Sequence, residues 1–127
     1  MSKIGEEIER LTTELVNIPS INGTKGEVHI SNKMFSYLSS IDYFKQHKEY
    51  VFQVPLKGDK LGRSNVFAFL RGEKKESNKT IILHGHMDTV NVDVFGSLAE
   101  YAFALDFLAE KLKEIDLPQE VMVDLES

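Results

Sequence analysis

Residues 80–90 read Thr80-Ile81-Ile82-Leu83-His84-Gly85-His86-Met87-Asp88-Thr89-Val90, and this stretch decides the fold class. Its first five residues are an apolar run without the alternation of a half-exposed strand, which favours an interior strand covered on both faces. Two helical patterns and a hairpin pattern precede this run. The sequence therefore predicts an α/β layered domain, in which the hairpin strands flank residues 80–84 and the helices pack on the sheet.

An amphipathic helix is predicted at the start of the chain, over residues 3–17. Pro19 disfavours the helical conformation at Ile18, so the helix is expected to end there. A second helix is predicted over residues 24–39, because Thr24-Lys25-Gly26-Glu27 has the spacing of a capping box. The apolar side chains expected to be buried are Ile4, Ile8, Leu11 and Leu15 in the first helix and Val28, Phe35 and Leu38 in the second.

Two segments rich in Val and Phe, residues 49–56 and 64–70, predict a β-hairpin with two glycines in its connection. The charged residues 71–79 are expected to form an exposed connection. Near the C-terminus, a helical face is predicted with Asp106 as its N-cap, and Pro118 favours the start of a last short helix that ends near Glu126. That helical face comprises Leu105, Leu108, Leu112 and Ile115. All 127 residues are assigned to one domain, without a separate second domain.

The composition is that of a globular protein, with 42% apolar and 28% charged residues. No apolar run approaches the roughly 18 residues of a membrane span, and the acidic N-terminus is unlike a signal peptide. The chain has no cysteine, which excludes disulfides and thiolate metal sites and fits a cytoplasmic location. A formal charge of -5 argues against a general nucleic-acid-binding protein.

The residues with the clearest chemical meaning are His86 and Asp88. They stand two positions apart at the end of the predicted strand, so on an extended backbone their side chains point to the same side. Neutral imidazole is a good zinc ligand, and its second ring nitrogen normally donates to a carboxylate or a carbonyl. The same spacing is also compatible with two polar residues that satisfy each other at a strand end.

Three segments in order resemble the ArgE/DapE family of zinc exopeptidases and deacylases. Residues 82–90 are similar to its first metal motif, in which His-x-Asp follows an apolar strand. Residues 15–20, with Gly23 and Gly26-Glu27 after them, resemble its N-terminal helix and loop, and residues 62–68 resemble its Asn-Val strand. Residues 96–103 and the acidic segment that follows are similar to the branch of this family called RocB, which serves arginine utilisation.

The resemblance implies a zinc-exopeptidase-type three-layer domain with a mixed sheet, incomplete at the C-terminus. It assigns His86 as a terminal zinc ligand and Asp88 as the catalytic carboxylate partner of that ligand. The complete enzyme would hold one or two zinc ions, with cobalt as a substitute, and would cleave a small amino-acid derivative or peptide. The family also needs a bridging Asp, a Glu–Glu pair, a further acidic ligand and a late His, and none of these has a matching motif here.

Two functional interpretations follow from these residues. The first is the N-terminal part of a metallohydrolase that is inactive alone, and the second is a shortened, non-catalytic remnant or interaction module. Self-association through an exposed sheet edge is expected for either. His84 is interpreted as a residue that supports the ligands or as a buried polar residue, rather than as a ligand itself. The remaining candidates are interpreted as solvated surface residues: His29, His47 and Asp93.

Overall fold

The computed structural model of the chain describes residues 2–73 and 79–115. The chain forms two compact units, one of residues 20–89 and one of residues 1–19 with 90–127. The assignment of all 127 residues to a single catalytic-domain segment stays a prediction. The described helices are α1 (Lys3–Val16), α2 (Gly26–Ser40), α3 (Asp42–Gln46) and α4 (Leu105–Leu112), the strands are β1 (Val51–Pro55) and β2 (Ser64–Ala68), and two 3₁₀ segments span Lys48–Tyr50 and Val92–Tyr101.

Helix α1 confirms the first predicted helix, and it begins with a side-chain cap. The Ser2 hydroxyl accepts a hydrogen bond from the Gly5 amide at 3.2 Å, which satisfies one of the free N–H groups of the first turn. The apolar stripe is buried only in part. Ile4 and Ile8 are 74% and 60% exposed among the described residues, so the prediction of a buried stripe is wrong for the N-terminal half of the helix.

Helix α2 begins at Gly26 and ends at Ser40, close to its predicted span. The Thr24 hydroxyl accepts from the Gly26 amide at 3.2 Å. The Glu27 carboxylate reaches back to the amide of Gly23 at 2.6 Å, one residue earlier than in a standard capping box. Gly23 has φ +78, in the region that glycine tolerates best, so it suits the turn that enters the helix.

The hairpin is confirmed as an antiparallel pair in which Phe52 faces Phe67. These two rings stack at 5.5 Å between centroids on the exposed face of the hairpin. The other face packs on α2, where Val51 and Ile30 are buried. The buried hydroxyl of Ser31 on α2 joins this helix to the hairpin. It donates to the Ser64 carbonyl and accepts from the Gln53 amide, both at 3.0 Å.

Residues 80–84 are not an interior strand, and this prediction is wrong. They have no regular structure, and Ile81, Ile82 and Leu83 are 86%, 83% and 93% exposed. The physical reason is the lack of a partner. The described residues form a single sheet of two strands that pair with each other, and residues 80–84 make no backbone hydrogen bond to another described residue. An apolar run becomes a strand only when another strand satisfies its backbone.

The described fold is therefore a small mixed α/β arrangement of a two-stranded sheet with flanking helices. The more specific assignment, a zinc-exopeptidase-type three-layer domain, stays a prediction. In the unit that contains α1, residues Val92–Tyr101 form 3₁₀ turns interrupted at Gly96, and α4 follows. The N-cap of α4 is Ala104 rather than Asp106, which lies in the first turn instead.

The predicted helix from Pro118 to Glu126 lies outside the described residues. Among the residues that are described, no helix combines the length and the apolar character needed to cross a bilayer. The cytoplasmic location stays a prediction.

Candidate functional site

The His86–Asp88 segment is held in place by a short parallel bridge to the loop before α2. Ile21 and Thr89 pair across this bridge. The Thr89 amide donates to the Ser20 carbonyl, and the Asn22 amide donates to the Thr89 carbonyl, both at 2.9 Å. These two bonds fix the backbone directly after Asp88, although residues 80–87 before it are irregular. The bridge therefore orients the motif without a regular strand.

The imidazole of His86 is oriented by Asp88, two positions later in the chain. Its Nδ1 lies 2.9 Å from the Asp88 carbonyl oxygen and 3.3 Å from the Asp88 carboxylate oxygen Oδ1. Both of these oxygens are acceptors, so in a neutral ring this geometry favours the proton on Nδ1. The lone pair is then on Nε2, and the side chain is 83% exposed. In this tautomer, Nε2 is the ring nitrogen that is available to bind a ligand.

Asp88 is held on its other side by Asn22, whose amide Nδ2 donates to Oδ2 at 2.8 Å. This hydrogen bond is the main reason that the pKa of Asp88 is lowered, with a smaller contribution from the backbone amide of Asp88 itself. Asp88 is accordingly an ionised acceptor that faces His86 with one oxygen and Asn22 with the other. Sequence reasoning missed Asn22, because a contact between residues 66 positions apart leaves no local pattern.

His86 and Asp88 line an open cleft of about 200 Å³ in the unit of residues 20–89. One wall comes from α2 and another from the hairpin and its connection. The lining residues are Glu27 and Ile30 from α2, Leu56, Arg63, Ser64 and Asn65 from the hairpin region, and residues 84–88.

The hairpin wall of the cleft is fixed by the guanidinium of Arg63. It donates to Asp59 at 2.7 and 3.0 Å and to Glu27 at 3.0 and 3.2 Å. The Arg63 amide also donates to Asp59, at 2.8 Å. These bonds lower the pKa of Asp59 to about 2 and raise that of Arg63. Asp59 and Arg63 are four positions apart, a spacing that could have indicated the pair within the turn.

The other candidate residues from the sequence are His84, His29, His47 and Asp93. His84 lines the cleft but is exposed, so its interpretation as a buried polar residue is wrong, for the same lack of cover as at Ile81–Leu83. His29 is exposed on α2, as predicted. His47 is partly exposed but stacks on Tyr50 at 5.2 Å, which the sequence did not indicate. Asp93, in the other unit, is exposed and bonds to Asn91.

The donor set of this site fits part of a zinc centre. A His whose Nδ1 binds a carboxylate group and whose Nε2 is free has the arrangement of a zinc ligand with its supporting carboxylate. A catalytic zinc site uses about three protein ligands and an open position for water. Within residues 2–73 and 79–115, no three His, Cys, Asp or Glu side chains come together in a group that could hold a metal. The described residues therefore supply one suitable ligand.

Comparison with known proteins identifies relatives that are much longer than this chain. The chain is 36% identical over 122 residues to protein RocB of Bacillus subtilis (strain 168), a match that covers 96% of the chain and 21% of RocB. It is 32% identical over 124 residues to the uncharacterized protein YqjN of the same organism, covering 96% of the chain and 22% of YqjN. The chain thus spans about a fifth of the length of these relatives.

No protein-family model matches the chain, and no solved structure matches it. The similarity relates the chain to one segment of RocB, which confirms the resemblance predicted from residues 96–103 at that level. Membership of the ArgE/DapE family of zinc enzymes stays a prediction.

Proposed function

We propose that this chain forms the first part of a zinc-dependent hydrolase that cleaves amide or peptide bonds in small amino-acid derivatives, with arginine utilisation as its metabolic context. The observation that supports this proposal is the 2.9 Å contact from His86 Nδ1 to the Asp88 carbonyl, together with the 3.3 Å approach of the Asp88 carboxylate. The similarity to a segment of RocB is consistent with this context.

Each residue of the pair has a distinct role in the proposed enzyme. His86 would bind zinc through Nε2, the exposed nitrogen. Asp88 would hold the Nδ1–H, fix the tautomer and make the imidazole a stronger ligand. A bound zinc ion in such enzymes polarises the substrate carbonyl and lowers the pKa of water. The cleft that His86 lines leaves room for a small substrate.

The remaining ligands and the general base must come from residues other than the described ones. The matched segment is 21% of RocB, so a RocB-like protein has four-fifths of its length in which to provide them. On this proposal the chain is inactive alone and becomes part of a site only in combination with that remainder. Cobalt would substitute for zinc, because both ions accept imidazole and carboxylate ligands.

A chimera tests the proposal, in which this chain replaces the matched segment of Bacillus subtilis RocB. We expect the purified chimera to contain zinc and to hydrolyse N-acyl amino acids or dipeptides. His86→Ala should remove both properties, and Asp88→Ala should lower zinc affinity or activity by about 10–100-fold. His29→Ala is the matched control, because His29 is an exposed histidine of the same unit that does not line the cleft. Normal zinc content in the His86→Ala chimera would refute the assignment.

The exposure of Ile81, Ile82 and Leu83 favours a second candidate, a non-catalytic interaction module that uses this apolar segment. Contiguous exposed apolar residues commonly mark interaction sites. A chimera that folds, as judged by circular dichroism, but neither binds zinc nor hydrolyses these substrates would favour the module over the enzyme.

A further inference from the structure

We propose that Asn22 is the positioning residue of the site: it fixes the Asp88 carboxylate so that its Oδ1 faces Nδ1 of His86 and Nε2 stays free for a ligand. The importance of Asn22 for metal binding rests on the function proposed above. Its effect on the His86 ring does not, because that effect depends only on contacts among residues 20–22 and 86–89.

Asn22 is attached to the motif in two independent ways. Its backbone amide donates to the Thr89 carbonyl at 2.9 Å, and the Thr89 amide in turn donates to Ser20. Its side-chain Nδ2 donates to Asp88 Oδ2 at 2.8 Å. The backbone ladder holds Asn22 beside Asp88 whatever the side chain is. A substitution at position 22 therefore removes the side-chain bond and leaves the bridge in place.

The side-chain bond matters because a carboxylate rotates easily. The terminal torsion of Asp is broad and two-fold, so a free Asp88 carboxylate would sample many orientations. The amide of Asn22 is a donor, and it binds Oδ2 while Oδ1 lies 3.3 Å from His86 Nδ1. Each carboxylate oxygen thus has its own partner. Asn22 in this way restricts the rotation of the carboxylate and keeps one of its oxygens facing the imidazole.

The orientation of Asp88 is transmitted to His86 as a choice of tautomer. The hydrogen bonds made by the two ring nitrogens determine which of them has the proton in a neutral histidine. Two acceptors of Asp88, the carbonyl oxygen and Oδ1, converge on Nδ1 and favour the proton there. Loss of the Asn22 donor leaves only the carbonyl in a fixed position. The Nε2-protonated form, which is unable to bind a metal through Nε2, then gains population.

The test measures the His86 tautomer in the 127-residue chain by long-range ¹H–¹⁵N NMR, above the pH at which the ring is protonated. We expect the Nδ1-protonated form to predominate in the wild type and to decrease in Asn22→Ala. Asn22→Asp keeps the size and shape of the side chain but lacks the N–H donor, so it should decrease this form at least as much. Asn65→Ala is the matched control, an amide of the same cleft, and should leave the tautomer unchanged.

A second measurement connects the tautomer to the proposed function. In the RocB chimera, Asn22→Asp should weaken zinc binding by about 10–100-fold, the usual effect of losing a supporting hydrogen bond behind a ligand. Wild-type tautomer in Asn22→Asp and Asn22→Ala would overturn the positioning role, even if His86→Ala abolished zinc binding. If the substitutions at Asn22 changed the His86 tautomer but the RocB chimera held no zinc, Asn22 would remain the positioning residue and the proposed function would be refuted.

Discussion

The guanidinium of Arg63 donates to both carboxylate oxygens of Glu27, at 3.2 and 3.0 Å, although the residues lie 36 positions apart. The contact joins the connection of the hairpin to the first turn of α2. Glu27 also accepts from the Gly23 amide, so one carboxylate holds together the cleft wall and the loop that leads to Asn22. The cleft is thus shaped by charge pairing rather than by a large apolar core.

The same cluster predicts how stability depends on pH. The pKa of Asp59 falls from its ordinary value of 3.8 to about 2 in the folded protein, mainly through hydrogen bonds from Arg63. A carboxyl with a lowered folded pKa stabilises the fold above its unfolded pKa, and this stabilisation is lost as pH falls through the folded pKa. We expect the urea midpoint of the wild type to decrease between about pH 4 and pH 2.

Asp59→Asn should have a lower urea midpoint than the wild type at neutral pH, and a smaller decrease over that acid range. Asp42→Asn is the control, because Asp42 pairs with Lys45 in an exposed contact of little energetic value. Equal acid sensitivity of the wild type and Asp59→Asn would contradict the assignment to this residue.

Two buried serines give opposite predictions from the same substitution. Ser20 and Ser31 are each 1% exposed, but only Ser31 has hydrogen-bond partners for its hydroxyl among the described residues. Ser31→Ala leaves the Ser64 carbonyl and the Gln53 amide without this partner, which should lower the free energy of unfolding by about 1–3 kcal/mol.

Ser20→Ala removes a buried hydroxyl without a partner, so it should be neutral or stabilise the fold by up to about 1 kcal/mol. Urea denaturation of both variants, followed by circular dichroism, measures the difference. A larger loss of stability in Ser20→Ala than in Ser31→Ala would show that the hydroxyl of Ser20 has a partner in solution.

Local sequence patterns predicted the elements of this fold that depend on local interactions. The helical stripe and Pro19 located α1, the capping sequence located the start of α2 within two residues, and the glycine-containing connection located the hairpin. The contact of His86 with Asp88 was also predictable, because it spans only two residues. In each case the interaction that decides the structure lies within a few positions of the sequence.

The errors occurred where the outcome depends on a distant partner. Residues 80–84 have the composition of an interior strand, but a strand needs a neighbour, and none of the described residues provides one. Ile4 and Ile8 have the correct periodicity and remain exposed for the same reason. The contacts of Asn22 with Asp88 and of Arg63 with Glu27 were missed because they join residues 66 and 36 positions apart. Periodicity specifies which face is apolar and leaves open what covers it.

The exposed segment Ile81–Leu83 predicts self-association. A short apolar segment with high β-propensity, no charge, no proline and an unpaired backbone is a template for pairing with a second copy. Ile82→Lys should reduce association, because a charge on such a segment opposes strand pairing, and it should leave the stability of the monomer unchanged because Ile82 is exposed.

Sedimentation velocity over a range of concentrations is the measurement. Ile4→Lys is the matched control, an exposed isoleucine placed on α1. If Ile4→Lys abolished association and Ile82→Lys did not, the contact surface would be on α1 instead.

The final prediction is that the 127-residue chain does not catalyse amide hydrolysis by itself. The described residues offer one imidazole with its supporting carboxylate, whereas a catalytic zinc site needs about three protein ligands. Neither of the two acidic residues that line the cleft in the described part of the chain is free to act as a base next to His86, since Asp88 is bound to Asn22 and Glu27 is bound to Arg63. Loss of a positioned general base typically costs about 10²–10⁴ in rate.

We therefore expect no turnover of N-acyl amino acids or dipeptides by the purified chain in excess zinc or cobalt. At high metal concentration, NMR should still detect weak binding at the His86 ring and weaker binding at His29, because Nδ1 of His86 lies 3.3 Å from a carboxylate oxygen of Asp88, which makes this ring a stronger ligand. Metal-dependent turnover that copurifies with the chain and disappears in His86→Ala would contradict this prediction. It would mean that other residues of the chain complete the site, and His84, in the same cleft, would be the first residue to replace.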